Sequence, residues 1–326
     1  MFLIKNRKSF LWFALVLILV SIVIIAKFGF RFGIDFTGGS LTEVVYKNAP
    51  QKEVVASRIK ELDLGAASVR KAVTKDGNSA FLIRTRDLND AERQNLIKTL
   101  TSLGEGGEIS RFTSIGPAIG SELRDKAGWA IFGVSAIIII YVAFAFSGIG
   151  VPVSSWVYGF ITILILMHDI LIPTAAISLL GYLKGVEIDV LFVTALLAVL
   201  GYSVNDTIVI FDRIREILKK HRQEHRKKIS EVAGIVKEEV TYTLKKPFTE
   251  IVGEAVDKSL SRSINTSLTT ILTLSALWWL GGSTTQMFAL ILLIGVLAGT
   301  YSSIAIASPL LVTYALWKDE SKGKNK

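Results

Sequence analysis

Six long apolar stretches constrain this chain more than any other feature of its sequence. A helix needs about 20 predominantly apolar residues to cross the hydrocarbon core of a bilayer. Hydrophobic residues make up 51% of the 326-residue chain, above the usual share for a soluble domain. The stretches occupy residues 9–26, 127–146, 153–180, 188–211, 264–280 and 287–316. The sequence therefore predicts a polytopic α-helical membrane protein with six transmembrane helices.

Basic residues predict the orientation of these helices. They cluster in residues 1–8, in the loop at 212–263 and in the tail at 317–326, within a chain of net charge +9. Cytoplasmic segments of membrane proteins carry such an excess of Lys and Arg. An even number of spans places both termini on the same side, so we expect all three segments in the cytoplasm. The first stretch lacks a following small-residue cleavage site and is expected to remain as an anchor.

Residues 27–126 are then expected outside the cytoplasm, and they are numerous enough for a small domain. Hydrophobic periodicity and turn residues predict strand, helix, strand, strand, helix, strand, which is the order of an α+β ferredoxin-like fold. The predicted elements span residues 41–47, 52–62, 67–74, 80–85, 90–103 and 108–114, with a hairpin at Asp76-Gly77 and a helix cap at Asn89 or Asp90.

Ionisable residues inside the predicted spans are costly to bury and indicate function. His168 and Asp169 lie in the third span, and Asp206 lies in the fourth, about 10 Å along the helix from Arg213 at 1.5 Å per residue. For Asp206 we favour a functional role, whereas His168 suits function or packing equally well. Ser203 shares a helix face with Asp206.

Neutral polar residues near these sites allow two interpretations. Ser203, Asn205 and Thr207 are expected to make structural hydrogen bonds between helices. In the fifth span, Arg262, Thr266 and Thr270 share one face. That face either lines a hydrated path or begins at an arginine that marks the membrane border, and the residues alone leave both possibilities open.

Glycines flank the predicted outer domain at both ends. Gly38 and Gly39 precede its first strand, and Gly116 and Gly120 follow its last. Because glycine tolerates backbone angles that other residues resist, we predict that these four act as hinges. A different prediction concerns the cytoplasmic loop, where apolar residues recur at helical spacing over residues 229–244 and indicate an amphipathic helix.

Several kinds of chemistry have no support in the sequence. The chain has no cysteine and only three histidines, and it lacks a GxxxxGK[ST] loop and a GxSxG elbow. We therefore expect no metal, no cofactor and no enzymatic activity. The basic charge is explained by the cytoplasmic loops, so we expect no nucleic-acid partner.

Five segments together resemble the SecF family of protein-export membrane subunits, which belongs to the RND superfamily. They are residues 32–39, 114–123, 168–169, 201–216 and 260–270, and they occur in the family's order. The resemblance implies half of an RND-type transporter that pairs with SecD beside the SecYEG translocon, in the inner membrane of a bacterial cell. It implies that proton motive force drives late-stage export of an unfolded polypeptide. It also assigns Asp206 and Arg262 as the family's essential acid and arginine, with Asp169 a weaker match.

Two alternatives remain at this point. An independent RND-type exporter of small molecules or lipids would also use an acid in the fourth span, although such exporters usually have twelve spans. A passive assembly factor for SecD would need no proton transfer at all.

Overall fold

The computed structural model describes residues 1–73, 78–146, 152–232 and 235–323. In chain order the elements are α1 (Phe2–Lys5), α2 (Arg7–Phe28), α3 (Ile34–Thr37), β1 (Gly39–Tyr46), α4 (Lys52–Glu61), β2 (Ser68–Val73), β3 (Ser79–Thr85), α5 (Asp90–Ser102), β4 (Glu108–Ile115), α6 (Pro117–Ala145), α7 (Ser155–Lys184), α8 (Val190–His221), β5 (Arg222–Val232), β6 (Ile235–Leu244), α9 (Phe248–Leu280), α10 (Ser283–Ser302), a π-helical turn (Ser303–Ala307) and α11 (Ser308–Gly323).

Five helical segments are long and apolar enough to cross a membrane, among the residues that the structure describes. They are α2, α6, α7, α8 and the continuous segment Thr285–Glu320, which runs from α10 through the π turn into α11. The predicted fifth span at 264–280 falls within α9, which does not meet that criterion of apolarity. Residues 260–270 of α9 are rich in Ser and Thr, and these hydroxyls lower its hydropathy.

Three helices extend well beyond the apolar stretches that predicted them. Helix α6 begins at Pro117, α8 continues to His221, and α9 begins at Phe248. Pro117 occupies the first turn of α6, and Pro247 occupies the position just before the first turn of α9. Helix ends are set by such capping and proline signals, whereas the apolar stretch marks only the part suited to lipid.

The predicted outer domain contains an antiparallel four-stranded sheet in the order β2-β3-β1-β4. Its strands and helices lie within two residues of the predicted ends. The predicted turn at Asp76-Gly77 lies outside the described residues. Alternate side chains of β1 and β3 are buried under α4 and α5, as the period of a strand requires. Tyr46 anchors this core and donates a hydrogen bond to the Leu100 carbonyl at 2.6 Å.

The loop between α8 and α9 differs from its prediction. The expected amphipathic helix at 229–244 is wrong, because β5 and β6 pair there as an antiparallel hairpin. β-branched residues are dense in this segment, and they favour strands over helices. The β-branched type of these residues therefore predicted the structure of this segment better than their helical spacing did.

Helix α10 occupies the centre of the helical part, in contact with α7, α8 and α9. Close approach to α8 depends on Gly295 and Gly299. A Cβ at Gly295 would lie 2.2 Å from Cγ2 of Val199, and one at Gly299 would lie 3.0 Å from Cβ of Ser203. The small-xxx-small spacing thus brings the backbone of α10 against the polar face of α8.

Candidate functional site

Two carboxylates lie buried on neighbouring helices of the membrane part. Asp169 on α7 is fully buried, and Asp206 on α8 is 7% exposed. Ser203, Asp206 and Ile210 share one face of α8, as their spacing predicts, and all three are buried. An ionised carboxylate is expensive to bury without hydrogen-bond donors. The donors around each acid therefore decide what this site can do.

Two serine hydroxyls donate to Asp206. Oγ of Ser263 on α9 lies 2.8 Å from Oδ1, and Oγ of Ser303 in the π turn lies 3.1 Å from Oδ2. Both serines are fully buried. Three elements thus meet at this carboxylate, and a change in its protonation alters hydrogen bonds to two of them.

Asp169 has its own set of partners. Nδ1 of His168 lies 2.8 Å from Oδ1, and Oγ of Ser302 lies 2.8 Å from Oδ2, which also accepts from the Ser203 hydroxyl. The other ring nitrogen of His168, Nε2, is buried without a hydrogen-bond partner in the described part of the chain. His168 and Asp169 therefore form a buried acid–imidazole pair, in which one ring nitrogen faces the carboxylate and the other has no partner among the described residues.

The remaining predicted polar residues do not reach the two acids. The Thr207 hydroxyl donates to the Ser203 carbonyl at 3.3 Å. The hydroxyls of Thr266 and Thr270 donate to carbonyls one turn earlier on α9, at 3.0 and 3.1 Å. Asn205 is exposed on α8. Hydroxyls that bond to their own helix in this way satisfy the backbone and leave the carboxylates to other donors.

Arg262 lies outside the face of α9 that contacts Asp206, about 100° around the helix from Ser263. Ser259, Ser263 and Ser267 form the buried face of this helix at four-residue spacing, whereas Arg262 is exposed. It borders a cavity of about 470 Å³ between α6, α8 and α9, together with Asp212 and others. Within this chain the arginine and the Asp206 carboxylate are therefore not brought together.

Sequence reasoning missed the three serines that contribute most to the site. Ser263 had a detectable signal, since serine recurs at 259, 263 and 267 on one helix face. Ser302 and Ser303 gave a weaker one, a pair of neighbouring serines inside the predicted last span. Their role depends on which helix lies opposite, and a single sequence does not reveal that.

The four predicted hinge glycines lie together where the outer domain joins the membrane part. Gly38 and Gly39 have φ angles of +73° and +122°, which favour glycine. A Cβ at Gly38 would lie 2.7 Å from Cα of Pro117, and one at Gly120 would lie 2.7 Å from the nitrogen of Gly38. Gly116 has open space around it. The two connections of the domain thus cross in close contact.

A second contact joins the outer sheet to the loop between α7 and α8. Glu187 in that loop forms ion pairs with two arginines on the open face of the sheet, with Arg70 at 2.8 Å and with Arg84 at 3.5 Å. Arg84 also donates to the Phe32 carbonyl at 2.9 Å, and Arg70 to the Gly185 carbonyl. These groups border a cavity of about 440 Å³ between sheet and membrane part. We refer to Arg70, Arg84 and Glu187 as the outer clamp.

No three His, Asp or Glu side chains among the described residues form a group suited to hold a metal ion.

Comparison with known proteins gives consistent matches over nearly the whole chain. The family of protein export membrane proteins SecD/SecF, C-terminal, matches residues 95–235 and 232–317, and the SecD/SecF GG motif matches residues 23–50. Protein translocase subunit SecF of Sebaldella termitidis is 35% identical over 98% of this chain and 94% of its own length. The corresponding subunit of Thermobaculum terrenum is 36% identical over 96% and 93%.

Solved structures agree with these matches. The crystal structure of SecDF from Thermus thermophilus, described as a translocon-associated membrane protein, has a TM-score of 0.75 and 30% identity to this chain. The match covers 97% of this chain and 38% of the SecDF chain, so the present chain corresponds to about two fifths of that longer protein.

Proposed function

The chain belongs to the SecD/SecF family of protein-export membrane proteins, and on that premise we propose that it works with SecD to couple the proton motive force to late-stage protein export through SecYEG. The pair of buried carboxylates carries this proposal, because each is held by serines from neighbouring helices. A carboxyl that gains or loses a proton in such a place changes the contacts between helices. Protons are then the coupling ion, and the substrate is an unfolded exported polypeptide.

The proposed topology has six spans: α2, α6, α7, α8, α9 and the segment of α10 and α11. Helix α9 has 33 residues, about 50 Å at 1.5 Å per residue, and it packs against α8 and α10. That packing supports its inclusion despite its hydroxyl content. The proposal places both termini and residues 212–263 in the cytoplasm of a bacterial cell, with residues 27–126 outside as a ferredoxin-like domain.

A partner with further spans is supported by the polar surface of α8 and α9. Asn205, Arg262, Asn265 and Thr269 are exposed within this chain. Polar and charged groups in spans seldom face lipid, so we propose that this face packs against SecD. The protein named SecDF from Thermus thermophilus contains a region 34% identical to this chain that makes up 36% of its length. In that protein, a SecF-like part is joined to additional sequence.

In the proposed mechanism Asp206 is the proton carrier. His168 and Asp169 form the entry side. They pair with each other, and the Asp169 carboxylate accepts a hydrogen bond from Ser203, which lies on the same helix as Asp206. Arg262 assists release only after α9 rotates, because Ser263 rather than Arg262 reaches Asp206 in this structure. The outer domain is proposed to move as a rigid body about Gly38, Gly39, Gly116 and Gly120.

The test is proton-gradient-dependent export in vesicles that contain this chain, SecD and SecYEG. Asp206→Asn keeps the shape of the protonated carboxyl but cannot release a proton, so we expect it to abolish the stimulation by the gradient while ATP-driven insertion persists. Asp125→Asn makes the same change at an exposed site near the outer end of α6 and serves as the control. Full stimulation with Asp206→Asn would exclude this residue as the carrier and favour a passive role in assembly.

A further inference from the structure

The two serines at the end of α10 hold different acids although they are neighbours in sequence. Ser302 reaches Asp169 on α7, and Ser303 reaches Asp206 on α8. Consecutive helical residues point about 100° apart, so one helix end can serve two neighbours. The π turn begins at Ser303, and such turns are rare and concentrate at functional sites.

Both hydroxyls also lie against one backbone carbonyl. Oγ of Ser302 is 3.1 Å from the Gly299 oxygen, and Oγ of Ser303 is 2.8 Å from the same atom. A hydroxyl has a single proton to donate. Each serine therefore donates either to its carboxylate or to Gly299, but not to both at once.

The protonation state of each acid decides between these two arrangements. An ionised carboxylate only accepts, so its serine must donate to it. A carboxyl whose proton is on Oδ2 and points at the serine donates to the serine oxygen instead, and the serine proton then turns to a carbonyl of its own helix. The direction of the serine hydroxyl thus follows the proton on the acid.

The Gly299 carbonyl has room for one of the two hydroxyls. A carbonyl oxygen has two lone pairs, and one already accepts from the Ser303 backbone N–H. Ser303 has a longer alternative at 3.2 Å, the Thr300 carbonyl. When one serine turns to Gly299, the other is favoured to keep donating to its carboxylate.

We propose that Ser302 and Ser303 are positioning residues that couple the proton on Asp169 to the proton on Asp206 through their shared acceptor at Gly299. A proton on one acid then favours the ionised form of the other, so that the two sites exchange a proton in turn instead of filling together. Among the described residues, His168, Asp169 and Asp206 are the buried acidic and basic side chains of the helical part, and Arg262 and Asp212 are exposed. This inference rests on the proposed proton step.

The coupling is measurable without transport, by infrared titration of the carboxyl C=O bands of the full chain with SecD in lipid vesicles. Asp169→Asn is expected to change the proton affinity of Asp206 by about fivefold or more, the usual lower range for coupled sites. Loss of the Asp169 charge contributes to that change directly. The contribution of the hydroxyl is isolated by making Asp169→Asn in a protein that also carries Ser302→Ala. In that background, the change in the proton affinity of Asp206 should be at least twofold smaller.

A matched control and a rescue accompany this cycle. Ser308→Ala removes a fully buried hydroxyl one turn further on, which has no hydrogen-bond partner in the described part of the chain, and it should leave the coupling intact. Ser302→Thr keeps the hydroxyl and should restore the coupling. Ser303→Ala tests the same link from the other side should Ser302→Ala fail to assemble.

An unchanged effect of Asp169→Asn in the Ser302→Ala and Ser303→Ala backgrounds would overturn the inference. This outcome is separate from failure of the proposed function. If Asp206→Asn retains full gradient-stimulated export while the infrared coupling persists, the serines couple two acids that do not drive export.

Discussion

At the scale of single residues, the start of α5 shows how a local signal fixes a local structure. Asn89 accepts from the backbone N–H of Glu92 at 2.9 Å, and Glu92 accepts from the Asn89 N–H at 3.0 Å. This capping box agrees with one of the two caps that the sequence allowed. Arg86 also donates to Glu92, and these hydrogen bonds, first from Arg86 and then from Asn89, hold the pKa of Glu92 below its ordinary value of 4.5.

The lowered pKa of Glu92 predicts a pH dependence of the outer domain. A carboxyl whose folded pKa is lowered contributes stability above its unfolded value, and this contribution is lost as pH falls through the folded value. We expect Glu92→Gln to lower the thermal stability of this domain at pH 7 and to remove part of its loss below pH 4.5. The measurement is thermal unfolding from pH 3 to 7. Glu53→Gln, an exposed glutamate in the first turn of α4, is the control, and equal pH dependence in wild type and Glu92→Gln would contradict the prediction.

Residues that act across helices were harder to find than this cap. Asp206 was identifiable because an acid deep in an apolar stretch is unusual in any fold. Ser263, Ser302 and Ser303 were not, because serine in a span is common and becomes informative only when the opposite helix is known. Arg262 illustrates the same limit, since its spacing places it on one helix face with Thr266 but a single sequence does not show which helix that face contacts.

At the scale of elements, the contact between α8 and α10 predicts a specific size constraint. Gly295→Ala would place a methyl group against Val199, and overpacking of this kind typically costs about 1–3 kcal/mol. We expect a lower melting temperature of the complex with SecD in detergent. Gly133→Ala on α6 has no atom within 4 Å of the added carbon and should have little effect.

A second substitution tests the cause of that effect. Val199→Ala removes the methyl groups that the new side chain meets, so the double variant should be more stable than Gly295→Ala alone. Stability that fails to recover in the double variant would show that the helices are held apart by another contact.

The elements differ in how far the sequence determined them. Strands and helices of the outer domain followed from alternation and turns, because each has one buried face. The hairpin of β5 and β6 was missed, because a spacing of apolar residues was given more weight than their β-branched type. The ends of α6, α8 and α9 exceeded the apolar stretches, since polar turns continue a helix outside the lipid.

At the scale of the whole molecule, the outer clamp predicts how firmly the outer domain sits on the membrane part. Glu187 is the acid between Arg70 and Arg84, and its side chain is 20% exposed. We expect Glu187→Gln to weaken the contact and broaden the distance distribution between spin labels at Glu61 and Leu183. The chain has no cysteine, so two introduced cysteines label only these sites.

Glu108→Gln on the exposed β4 strand is the control for this measurement. An unchanged distribution in Glu187→Gln would show that the crossing of the two connections alone holds the domain. A broadened distribution with normal export would show that the clamp is not part of the cycle.

The position of the crossing of the two connections also determines how far the outer domain would move for a given rotation. Strand β1 leaves this crossing at Gly39 and runs to Tyr46, so its eight residues form a lever arm of about 26 Å at 3.3 Å per residue. A rotation of about 10° at the fulcrum displaces the far end by about 5 Å, which exceeds the rise of one residue in an extended chain. If the domain moves about this crossing as proposed, a rotation of this size would give a stroke long enough to advance an extended polypeptide by one residue.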